Sequence, residues 1–67
     1  MEVKIKSEFI KLGQLLKYVD LISTGGEEKI FLASHPVLVN GEIDQRRGRK
    51  IYPGDIVVID QQTYLIQ

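Results

Sequence analysis

Four of the nine basic side chains in this 67-residue sequence crowd into Arg46-Arg47-Gly48-Arg49-Lys50. Cations set side by side repel one another, and a soluble surface normally intersperses its charges. The chemistry such a run suits is the docking of a polyanion. A guanidinium is a planar fork that matches phosphate oxygens and stacks on bases, whereas Lys acts as a point charge. Three Arg to one Lys favours recognition over simple solubility, and Gly48 lets the backbone turn between them. The plain alternative is a solvated loop.

The remaining inventory is thin. There is no Cys, hence no disulfide framework and no thiolate. The single His, His35 beside Pro36, has no second ligand or acid–base partner at a useful spacing. Neither Glu27 with Glu28 nor Asp55 with Asp60 carries the motif of a catalytic carboxylate pair. An enzyme, a metal and a cofactor are therefore not expected. Thr24-Gly25-Gly26 would offer backbone N–H groups at a helix start, which suits a phosphate. Glu27 and Glu28 compete for that position, and the Gly-Lys-Ser/Thr ending of nucleotide-hydrolysing loops is missing. Nine acids balance nine bases, so contact with nucleic acid must be local, with cations on one face and acids elsewhere.

The elements that position these residues are legible from period and punctuation. Hydrophobic content of 43% and charged content of 27% fit one folded domain over residues 1–67. No apolar run approaches the roughly 20 residues that span a bilayer, and the start reads as no signal peptide, so a soluble cytoplasmic monomer is expected. Glu2-Val3-Lys4-Ile5-Lys6 alternates like a half-buried strand. Leu12, Leu15, Leu16 and Val19 recur at helical spacing. Lys11 and Lys17 then lie about 240° apart, so at most one should share the basic surface, and Lys11 at the helix start is favoured. A second helix is expected from the capping box Thr24-x-x-Glu27, with Ile30 and Phe31, and secondarily Leu32 and Ala33, on its buried side, stopping near Ser34 before Pro36. His35 would end it in a left-handed conformation.

Beyond it, Val37-Leu38-Val39-Asn40-Gly41-Glu42-Ile43 is a hairpin with a type I′ turn. Pro53-Gly54 is a turn with Pro at its first corner and Gly at its second, and Ile56–Ile59 and Tyr64–Ile66 are further strands. The fold class is α+β, with two short helices packed against a small, strongly bent, mainly antiparallel sheet. Phe31 belongs to the core. Tyr18 and Tyr52 are rim candidates, and no aromatic lies inside the basic loop to signal a stacking platform.

The order Leu12-Gly13-Gln14-Leu15-Leu16-Lys17, Ser23-Thr24-Gly25-Gly26-Glu27, Val37-Leu38-Val39-Asn40-Gly41 and Pro53-Gly54-Asp55 resembles the ribosomal S-four-type RNA-binding domain, or alpha-L motif. The match runs from Leu12 to Ile59, 48 of the 67 residues. With Arg46-Arg47-Gly48-Arg49-Lys50 it is most similar to short stand-alone bacterial members linked to ribosome assembly. The resemblance implies binding of structured ribosomal RNA across the start of the first helix, the first turn of the second, and the loop after the hairpin. The residues it implies are Lys11, Ser23, Thr24, Lys29, Arg46, Arg47, Arg49 and Lys50, with Lys17 and Asn40 secondary. Many members carry Arg where Gly25 stands and a small residue where Glu28 stands, which implies weaker or differently aimed binding here. The rival from another class is a protein-interaction adaptor whose basic loop docks on an acidic partner.

Overall fold

Val3, Leu12, Leu15, Leu16, Leu32, Val37, Val39, Ile51, Val57, Ile59, Tyr64 and Ile66 are removed from solvent and form one core between two short helices and a sheet. The computed structural model describes all residues from Met1 to Gln67. Its order is β1 (Glu2–Val3), β2 (Ile10–Lys11), α1 (Leu12–Tyr18), a 3₁₀ turn (Gly25–Glu27), α2 (Glu28–Ser34), β3 (Val37–Val39), β4 (Glu42–Ile43), β5 (Lys50–Ile51), β6 (Ile56–Ile59) and β7 (Gln62–Ile66). The expected α+β class is what the structure has. The strands divide into a five-stranded sheet, β1-β7-β6-β3-β4, and a separate ladder, β2-β5. All neighbours are antiparallel except β1 with β7.

The expected turns form where their residues require them. Asn40 and Gly41 have φ of 52° and 87°, the two positive values of a type I′ hairpin. The Asn40 side chain also locks this tip to the next turn. Its amide N–H donates to Asp55 Oδ1 at 3.1 Å, and its carbonyl accepts the Ile56 N–H at 2.9 Å. Gly54 has φ of 99°, and the Asp55 N–H closes the turn on the Tyr52 carbonyl at 3.0 Å.

Four expectations are corrected. The strand expected over residues 2–6 is assigned only over Glu2–Val3, although the Ile5 N–H still reaches the Gln67 carbonyl at 2.8 Å. The second helix begins with a 3₁₀ turn, and in α2 only Leu32 is fully buried. Ile30, expected inside, is 71% exposed, because it lies two residues, about 200°, from Leu32 around the helix. His35 is extended, φ −124° and ψ 126°, not left-handed. The proline ring at position 36 clashes with a helical preceding residue and drives it to extended geometry. There its imidazole stacks on Phe31 at 4.1 Å and pairs with Asp60 at 2.9 Å.

Candidate nucleic-acid interface

The basic loop joins β4 to β5 and is fastened to α1 through its backbone. Arg49 and Arg47 carbonyls accept the N–H groups of Leu12 and Gly13 at 2.8 and 2.9 Å. These are the first two amides of α1, which have no partner inside the helix. The loop thus caps the helix, and the helix start offers a ligand its side chains rather than these amides. The β2-β5 ladder adds a second tie. Ile10 pairs with Ile51, both buried, and Lys11 pairs with Lys50, both exposed. Two like charges directly opposite each other destabilise a ladder, a cost that an anion lying across them would relieve.

Beneath the loop sits Asp44, whose side chain is only 7% exposed. Its Oδ1 accepts the Arg46 backbone N–H at 2.9 Å and Nε at 3.0 Å. Oδ2 accepts Arg46 Nη2 at 2.8 Å and Arg49 Nη1 at 2.9 Å. These bonds, that from the Arg46 side chain foremost, hold the Asp44 carboxyl well below the usual carboxylate range, and the same pairing raises Arg46. The expectation that the acids lie elsewhere is corrected here: four loop cations less one carboxylate leave a net +3. The Arg46 side chain nonetheless remains 72% exposed. A guanidinium carries five N–H donors; Arg46 spends two on Asp44, leaving three, and Arg49 spends one, leaving four. The buried carboxylate therefore fixes both forks while their outer edges face solvent.

A cleft of 270 Å³ joins the loop to both helices. Lys11, Gln14 and Lys17 from α1 and its approach, Glu28 from α2, and Arg47 with Gly48 from the loop line it. The expectation that Lys11 and Lys17 cannot share a surface is corrected. Lys11 is the extended N-cap at φ −76° and ψ 148°, so helical angular arithmetic does not apply to it. Glu28 is the acid in this cleft and pairs with Lys17 at 3.5 Å. Its carboxylate lies over Gly13, where a Cβ would collide with it.

At the start of α2 the reach-back half of the capping box is formed. Glu27 Oε2 accepts the Ser23 and Thr24 backbone N–H groups at 2.6 and 2.8 Å, and lies 3.4 Å from the Thr24 hydroxyl. The Thr24 amide, then that of Ser23, lowers the Glu27 carboxyl below its ordinary range. Those two amides are thereby taken from any incoming phosphate. Lys29 is exposed on α2 and lines no cleft. Of the positions read from the sequence, Lys11 and Arg47 share the cleft, and Lys50 opposes Lys11. Arg46 and Arg49 are gathered on Asp44, while Ser23, Thr24 and Lys29 lie outside the cleft.

Sequence reasoning misses Asp44, the short strand β2, and Phe9. Phe9 lies under Lys50 Nζ, 4.9 Å from the ring centroid, and its ring is 5.8 Å from that of Tyr52. Aromatic surface thus borders the basic loop although none lies within it. A signal for Asp44 existed: it follows Ile43 in the hairpin, on the alternate face, two residues before Arg46.

Comparison with known proteins bears on the chain as a whole. A family model described as "S4 domain" matches residues 3–67. The chain is also similar to the "Probable ribosome maturation protein RlbA" of Bacillus subtilis (strain 168). The two are 55% identical over 58 residues, which cover 87% of this chain and 82% of that protein.

Proposed function

The chain belongs to the S4 domain family, and from that membership we propose that it binds structured RNA, ribosomal RNA foremost, in ribosome maturation. It acts as a binding module and not as a catalyst, in the cytoplasm where ribosomes are assembled. No helix is long and apolar enough to cross a membrane. The observation that carries the reading is the convergence of Lys11, Lys17 and Arg47, against the single acid Glu28, on one cleft beside two arginines held on a buried carboxylate. Phosphate and shape recognition suit that arrangement, because forks and ammonium groups are matched to backbone oxygens.

About four neutralised phosphates give a slope of log affinity against log salt of roughly −3 to −4. Arg47 is the cleanest probe, since it is in none of the molecule's ion pairs. Arg46 is not, because its removal also strips Asp44 of a bidentate partner. Lys11→Ala with Arg47→Ala should flatten the slope by about two units with the fold retained. An unchanged slope would remove these residues from the interface. Co-sedimentation with ribosomal subunits that survives nuclease treatment would instead favour a protein partner.

A further inference from the structure

Alongside the cleft just described is a larger one of 660 Å³, framed where the segment after β1 passes α1. Lys4, Lys6 and Lys17 line it, and no Asp or Glu does. Lys4 and Lys6 take part in none of the ion pairs of the molecule. Ile5 and Ile10 give the cleft an apolar lining. Tyr18 forms another part of its edge, with its ring largely exposed and its hydroxyl donating to the Lys4 carbonyl at 2.9 Å. That bond ties the lysine-bearing segment to the helix. Gln14 and Lys17 line both clefts, so basic residues run from Arg47 and Lys11 through Lys17, there paired with Glu28, to Lys4 and Lys6.

We propose that this second cleft takes a single-stranded stretch of the same RNA, running on from the phosphates held at Lys11 and Arg47. The inference rests on the RNA-binding reading and extends its footprint to residues outside the Leu12–Ile59 stretch. The lining decides the occupant. Lys4 and Lys6, free of any acid partner, suit phosphate oxygens, and the half-buried Ile5 with the exposed Tyr18 ring suits the face of a base. A duplex keeps its bases stacked inside, whereas unpaired nucleotides present theirs for such contact.

The test uses the full chain and two synthetic probes, an RNA hairpin with a blunt end and the same hairpin with a four-uridine tail. Affinities are measured across a salt series. The tail should tighten binding about tenfold, the equivalent of one stacked base. Lys4→Ala with Lys6→Ala should abolish that gain and flatten the tailed probe's salt slope by about 1.4 units, at roughly 0.7 per single-strand phosphate. Blunt-hairpin affinity and thermal melting should stay unchanged, since both side chains are exposed. Arg47→Ala should weaken both probes. A tail that adds nothing to the wild type, or a gain that survives in the double variant, overturns the proposal while blunt-hairpin binding upholds the main reading. Competition by oligoglutamate equal to that by oligouridine also overturns it. If neither probe binds, both readings fall together.

Discussion

Arg46 grips Asp44 along one edge of its fork, Nε to Oδ1 at 3.0 Å and Nη2 to Oδ2 at 2.8 Å, although only the carboxylate is buried. The pair is asymmetric: Asp44 bears the desolvation, and Arg46 keeps most of its surface in water. A buried carboxylate without its cations would be costly, so the loop conformation and the charge of its arginines are coupled.

This coupling sets an acid limb. A carboxyl whose folded value is depressed contributes stability that is fully present above its unfolded value, about 3.9, and is lost as pH falls toward the folded one. Unfolding measured from pH 7 downward should therefore show stability declining below about pH 4. Asp44→Asn should remove part of that decline. At neutral pH the same change should cost about 1 to 3 kcal/mol, toward the lower end because solvent screens the exposed side of the pair. An acid limb identical in both proteins would remove Asp44 as its source.

Gly25 faces the cleft's ion pair without needing to be glycine. A Cβ there would sit 3.7 Å from Glu28 Oε2 and 3.9 Å from Lys17 Nζ, ordinary contact, and its φ is not positive. Gly25→Arg should fold normally and steepen the salt slope of RNA binding by about one unit through one added phosphate contact. A flat response in the same titration would place the start of α2 outside the RNA footprint.

Gly13 and Glu28 are coupled through space, because a Cβ on Gly13 meets the Glu28 carboxylate. Replacing a helical Gly by Ala is otherwise worth up to about 1 kcal/mol. Denaturant melts of the double-mutant cycle should show that gain in full for Gly13→Ala only in the Glu28→Ala background. In the wild-type background the gain should shrink, as the carboxylate swings away and loosens its pair with Lys17. Strict additivity would refute the coupling.

Asn40 ties the hairpin tip to the Asp55 turn, and that tie accounts for its side chain without RNA. Asn40→Ala removes both side-chain bonds to the Asp55 turn and places a Cβ-branchless but φ-averse residue at 52°. The loss should be about 1 to 3 kcal/mol, read by thermal or urea unfolding. The salt slope of RNA binding should not move; a slope reduced by a whole unit would return Asn40 to the interface.

The hairpin at Asn40-Gly41, the turn at Pro53-Gly54, the α1 stripe of Leu12, Leu15 and Leu16, and the stop before Pro36 were all legible along the chain. Each depends on steric rules acting within a few residues. The basic loop and the family resemblance were legible for the same reason, as residue types in a fixed order. Long-range pairing was not. The β2-β5 ladder joins Lys11 to Lys50 across a separation that no local period encodes, and it carries Phe9 to the edge of the loop. Burial of Asp44 under Arg46 and Arg49, exposure of Ile30, and the entry of Lys17 into the cleft depend on which face each element turns to its neighbours. Packing decides that orientation, because a short helix or a two-residue strand has too few apolar positions to specify it alone.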